Sequence, residues 1–158
     1  MTGVGFGFVY LRAIDGRTEL LAEDLTHGFD DPLGAEALAY FARSAWLRKV
    51  GADPEHAWRS RYRLDPATAL ERVYLPGEQG WQQQVTRVHR GDGPRWQHEV
   101  DETTAALLAG MRPDGLPLYE LLELLALAEG SAEVAPDFAD AALGVVTDLV
   151  RHGLVHPV

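Results

Sequence analysis

The residues best suited to chemistry in this sequence are arginines set among aromatics. Arg59, Arg61 and Arg63 alternate, so a strand through them would place three guanidiniums on one face, with Tyr62 and Leu64 on the other. Arg87, Arg90 and Arg95 follow, together with Trp81 and Trp96, on what read as adjacent strands. Guanidinium forks grip carboxylate and phosphate with paired hydrogen bonds, and neighbouring rings stack on bases or cover apolar side chains. Arg59, Arg61, Arg63, Trp81, Arg87 and Trp96 are therefore the candidate partner-binding residues, for RNA or for an acidic protein. A competing reading is internal, with the same arginines forming a salt-bridge seam against the acid-rich end of the chain.

Other motifs point less far. Gly3, Gly5 and Gly7 spell GxGxG, but a nucleotide loop needs a strand before the glycines and a helix after them. Only two residues precede Gly3, and the following residues read as strand, so small residues in a packed strand are expected and no cofactor is assigned to this chain. His27, His56, His89, His98, His152 and His156 form no HExxH or similar ligand spacing, and Gly153 and Pro157 keep His152 and His156 off one helical face. No metal is expected. Ser44, Ser60 and Ser131 lie in no nucleophile elbow. The acidic pairs Asp30/Asp31, Asp101/Glu102 and Asp137/Asp140 mostly fall at helix starts, where they cap free amides and meet the positive dipole end. No catalytic residue is assigned.

Composition narrows the classes. The 158 residues allow one full domain or two small ones, at roughly 150 residues per domain. Cysteine is absent, which excludes disulfide scaffolds, thiolate metal sites and cysteine nucleophiles. The net charge of −10 opposes binding to duplex DNA and to anionic membrane. No run approaches the roughly 18 apolar residues of a membrane span, and the N-terminus lacks a basic signal-peptide region. A soluble cytoplasmic protein is expected. Charge is uneven: −2 over residues 1–50, zero over 51–100 and −8 over 101–158.

The elements that would position these residues follow from periodicity. Gly5–Ala13 reads as a strand. Asp31-Pro32 should cap a helix over residues 32–50, with Arg48 and Lys49 at its negative end and Gly51 as its stop. Arg59–Asp65, Ala69–Leu75, Trp81–Arg90 and Arg95–Val100 read as strands, separated by Pro76-Gly77, Gly80 and Gly91-Asp92-Gly93-Pro94. Asp101 caps a helix through Thr104–Gly110, Pro117 opens a second, and Asp137 caps a third that Gly153 ends before a short strand at Leu154-Val155-His156. The fold class is α+β: a mixed unit over residues 1–100, then a three-helix, winged-helix-like unit over 101–158.

Four pieces carry a resemblance to a known family: Gly5-Phe6-Gly7, Trp46-Leu47-Arg48, Arg90-Gly91-Asp92-Gly93, and Val100-Asp101-Glu102-Thr103-Thr104-Ala105-Ala106-Leu107-Leu108. Over most of its length the chain resembles the C-terminal region of bacterial methyltransferases that are similar to the release-factor glutamine methyltransferases. The resemblance implies an S-adenosylmethionine-binding catalytic domain upstream, with an Asn-Pro-Pro-Tyr motif at the methylated amide. This sequence contains neither, so no family catalytic residue carries over. The expected function is a non-catalytic, substrate-recognising accessory region, with the methyltransferase catalytic domain as partner and a protein or RNA as substrate. Residues 101–158 also resemble winged-helix modules that bind leader peptides, which gives the alternative of a stand-alone adaptor for a peptide or protein. An open frame running upstream into a methyltransferase domain would favour the first, and a stop before Met1 the second.

Overall fold

Alanine- and leucine-rich runs bounded by proline, glycine and aspartate become helices, and the β-branched, aromatic middle of the chain becomes antiparallel sheet. A computed structural model describes residues 7–16, 18–25, 28–30 and 32–158. The class is α+β.

Helix α1 spans Gly34–Ala52. The expected cap Asp31 lies outside the described residues, and Leu33 holds the N-cap position without a side-chain bond. Gly51 is inside the helix and does not stop it; the stop is Asp53, extended at φ −147° because a following proline disfavours helical backbone. Pro54 then starts a short helix α2, Glu55–Arg59, where a strand was expected to begin. Only Tyr62–Leu64 remains as strand β1. It pairs with the terminal strand β5, Val155–Pro157, with Arg63 opposite His156.

A long hairpin follows, made of β2 (Thr68–Gly77) and β3 (Gly80–Arg90), with short β4 (Gln97–Glu99) on the far side of β3. Its turn needs Gly80, whose φ is +111°. Val73 faces Val85 while Tyr74 faces Gln83, so Gln84 is an extra residue that forms a bulge. Arg95, at φ 52°, is in the turn before β4 and not in a strand.

Three helices complete the chain: α3 (Glu102–Gly110), α4 (Leu118–Ala128) and α5 (Pro136–Arg151). Asp101 caps α3 as expected, accepting from the Thr104 amide at 2.7 Å. At α5, Pro136 takes the first helical position and Ala135 the cap, so Asp137 is in the first turn and meets the dipole there. The helix ends in a Schellman arrangement: the Gly153 amide donates to the Val150 carbonyl, and the Leu154 amide to the Leu149 carbonyl. Gly153 has φ +72°, as that motif requires.

One core runs across the Val100–Asp101 point. Tyr62 of β1 and Val88 of β3 pack among Leu107, Leu118, Leu122, Val146, Leu149 and Val155. The Tyr62 hydroxyl donates to the Ala57 carbonyl at 2.9 Å, and burial pushes its ionisation up. The expected strand at Gly5–Ala13 falls partly outside the described residues, and over Gly7–Ala13 the chain enters no sheet. No helix of the described residues is long and apolar enough to cross a membrane.

Candidate functional site

The six residues singled out by sequence do not meet on one face. Arg59 closes α2 and pairs with Glu55 one turn earlier at 3.2 Å, both side chains being exposed. Arg61 precedes β1 and Arg63 sits within it, so the anticipated strand-borne row of three does not form. Among the described residues neither Arg61 nor Arg63 makes an ion pair. The expected seam between these arginines and residues 101–158 is not made either.

On the hairpin, strand alternation separates two further candidates. Thr86 and Val88 are buried, so their face of the sheet turns inward, while Arg87 points the other way. There Arg87 pairs with Glu71 across the ladder at 2.6 Å and holds that carboxylate below its usual range. Past the bulge, Tyr74 and Gln83 lie on the Thr86 side: Gln83 donates to the Thr86 hydroxyl and to Glu102 at 2.8 Å each, and the Tyr74 hydroxyl donates to Gln83 at 2.9 Å. Arg72 also reaches Glu102 at 2.9 Å. Gln83 and Arg72 together lower the Glu102 ionisation and fix the middle of the hairpin on α3. Trp81, opposite Pro76, continues that face beyond the last contact with α3. Trp81 is 73% exposed and Tyr74 44%, with Leu75 open on the other side. A protruding ribbon tipped with two rings is a candidate docking element, because isolated apolar rings in water gain most on being covered.

Trp96 has a different role. Its ring stacks on His152 at 4.2 Å. His152 Nδ1 is 2.7 Å from His98 Nε2, and His152 Nε2 is 2.9 Å from Glu23. Burial, followed by the neighbouring His152, lowers the ionisation of His98. A second imidazole–carboxylate contact joins His156 to Asp65 at 2.8 Å. Burial opposes ionisation of Asp65, but the Ala67 amide, His156 and Arg90 outweigh it and lower its pKa. Sequence spacing missed the His98–His152 pair because residues 54 apart in the chain meet only through tertiary packing.

Arg90, grouped by sequence with Arg87 and Arg95, is buried. It donates to Glu36 at 2.9 Å and to Asp92 at 2.8 Å, while Arg43, equally buried, holds the other Glu36 oxygen and donates to the Arg151 carbonyl at 3.0 Å. These ions tie α1 to the ends of β3 and α5. Beside α1 and α5 an open groove of about 840 Å³ is lined by Leu20, Leu21, Tyr40, Ser44 and Leu47. Its cations Arg48 and Arg151 are already paired with Glu19 and Asp148. Among the described residues no cluster of three or more histidines and carboxylates converges on one point as metal ligands would.

The unit thus assembled, from α1 to β5, coincides with a family segment: the domain of unknown function DUF7782 matches residues 38–157. The chain belongs to the DUF7782 family. No curated protein matches it. The DUF7782 segment therefore includes the hairpin, Arg43, Arg90 and the His156–Asp65 contact, but not Glu36, Glu23 or residues 7–14.

Proposed function

We propose that this DUF7782 chain is a non-catalytic recognition region of an S-adenosylmethionine-dependent methyltransferase, holding a protein substrate against the tip of its β2–β3 hairpin. The resemblance of the sequence to the C-terminal region of such enzymes supports the enzymatic setting. The observation that carries the recognition role is the exposed pair of rings, Tyr74 and Trp81, on a ribbon whose middle is pinned to α3 through Glu102. Rings presented on a rigid support lose little entropy when a partner covers them. A net charge of −10 favours neutral or basic protein over RNA or duplex DNA. S-adenosylmethionine belongs to the catalytic domain in this reading.

The test is methyl transfer by the protein encoded in the complete reading frame, from labelled S-adenosylmethionine into protein from its own cell extract. Changing Tyr74 and Trp81 to Ala should lower kcat/KM for the protein acceptor about tenfold or more, with cofactor binding unchanged. Equal rates would discard the hairpin as the recognition element. Absence of methyl transfer by the unaltered protein would discard the enzymatic setting and leave the adaptor reading.

A further inference from the structure

Strand β2 is an outer strand of its sheet: it pairs with β3 on one side and, among the described residues, with no strand on the other. Hydrogen bonds around β3 fix which residues of β2 face that open side. The Arg90 amide donates to the Trp96 carbonyl and the Val100 amide to the Thr86 carbonyl, so the even positions of β3 serve the β4 side. The odd positions between them, Arg87 and His89, therefore bond to their ladder partners Glu71 and Ala69. By the same alternation Leu70, Arg72 and Tyr74 turn their amides and carbonyls away from β3. Pro76, which has no amide to donate, continues that outward series, as edge prolines do. Among the described residues the backbone of residues 69–75 bonds to β3 alone.

Strand edges are ordinarily blunted by charge, by a bulge or by a covering element. The far edge of this ribbon has such a device, because the extra residue Gln84 interrupts β3, whereas β2 runs without an insertion. Charge is missing as well: of residues 73–86 only Glu78 is charged. Leu70 and Tyr74, 48% and 44% exposed, stand along the open edge on one face, and Leu75, 53% exposed, on the other. We infer that β2 takes up an extended, uncharged segment of the partner protein as an added strand along Leu70–Tyr74. This rests on the hairpin as the recognition element and deepens it. The backbone edge supplies hydrogen bonds whatever the partner's sequence, and the side chains beside it select apolar residues at alternate positions. Nucleic acid does not fit, since residues 73–86 hold no cation to meet a phosphate. A second copy fits poorly. Self-pairing about Glu71, Arg72 or Val73 would set Glu71 against Glu71, Arg72 against Arg72, or Leu70 against Pro76. Like charges directly opposite destabilise a ladder, and proline leaves it a bond short.

The probe is a library of random peptides of about nine residues, displayed on phage and selected on the 158-residue chain. A selected peptide is then synthesised, and amide hydrogen exchange of the chain is followed residue by residue. In the free chain the amides of Leu70, Arg72 and Tyr74 should exchange faster than those of Ala69 and Glu71. With peptide bound, those three should slow about tenfold or more, while Ala69 and Glu71 change little. Leu70→Pro removes one edge amide without touching the ladder to β3, and should weaken binding about tenfold. Leu70→Thr, which keeps that amide, should weaken it less than about threefold. Peptide that binds while the three amides exchange as before would overturn the inference and leave the rings alone as the recognition element. Slowed exchange that survives the change of Tyr74 and Trp81 to Ala would uphold the added strand and discard the rings. Failure to enrich any peptide, or equal binding by Leu70→Pro, would overturn the inference. Slowing that appears in the chain alone as it dimerises would overturn it in favour of a second copy. Slowed edge amides in a protein whose complete reading frame transfers no methyl group would uphold it and discard the enzymatic setting.

Discussion

Two groups of arginines, similar in sequence, have opposite fates. Arg43 and Arg90 lie at the meeting of α1, β3 and α5, only 6% and 8% exposed, and share Glu36 between them. Arg59, Arg61 and Arg63 lie around α2 and β1, where Arg59 has only the exposed Glu55 as partner. The difference is set by what packs around each position and not by the arginine. A guanidinium loses much hydration on burial and is held there only if every donor finds an acceptor. Glu36, Asp92 and the Arg151 carbonyl supply those acceptors at the first site. At the second, only the Arg59–Glu55 pair forms among the described residues, and it is exposed, so the side chains add little to the fold.

The comparison breaks most sharply at Glu36. Glu36→Gln keeps the volume but leaves two buried guanidiniums facing a neutral amide. Removing one partner of a buried ionic group costs about 3 kcal/mol or more, because the remaining charge is stranded. The melting temperature should fall by roughly 10 °C. A fall under a few degrees would mean that water reaches the site and that the two arginine groups do not differ in kind.

Gly153 is the next point of stress. It sits at φ +72° in the Schellman turn, and a Cβ there would stand 2.6 Å from Arg90 Nη1 and 3.0 Å from Arg43 Nη1. Gly153→Ala thus combines left-handed backbone strain with pressure on both guanidiniums, for about 1–3 kcal/mol. Thermal denaturation checks it, and coupling is checked in a double-mutant cycle with Glu36→Gln. Additive losses would show that the turn and the ion cluster act separately.

How far the sequence foretold this depends on the range of each interaction. The hairpin, the Asp101 cap and the three C-terminal helices rest on local signals: glycine turns, a short polar cap, and leucines spaced three and four apart. Those were legible. The strand over Arg59–Asp65 was misread because Pro54 starts one more turn of helix, and alternation of three arginines reports nothing about burial. Arg90 looked like Arg87, its neighbour three residues earlier on the same strand. Only the tertiary approach of Glu36, 54 residues away, distinguishes them. The His98–His152 pair was hidden for the same reason. Trp81 was recognised as a candidate, but its separation from Arg87 on the two faces of one ribbon needed the register.

Acid adds a smaller effect beside the cluster. Burial and His152 favour neutral His98, while Asp148 and Glu23 partly offset them. With its folded pKa lowered, His98 contributes stability that is fully present above the ordinary imidazole value of about 6.5 and lost as pH falls through the folded value. Asp65, Glu71, Asp101 and Glu102 also have lowered values, so their contribution is present above the ordinary carboxylate range and lost further into acid. Melting temperature followed downward from pH 8 should therefore decline in two stages. His98→Asn should remove the first stage and leave the second. A single acid transition in the unaltered protein would refute the assignment to His98.

The smallest expected effect is at Arg59, Arg61 and the half-buried Arg63, and it sharpens the contrast with Glu36. Changing Arg59, Arg61 and Arg63 together to Gln breaks one exposed pair, Arg59–Glu55, and strands no buried carboxylate. Exposed pairs one helical turn apart contribute a few tenths of a kcal/mol and are screened by salt, so the melting temperature should stay within about 2 °C. Raising the ionic strength should shrink even that difference. Three guanidiniums lost here would then cost less than one carboxylate changed at Glu36. A large drop in the triple variant would place these arginines in the fold itself and remove them as a docking surface. An unchanged melting temperature would show that these three side chains do not hold the fold together.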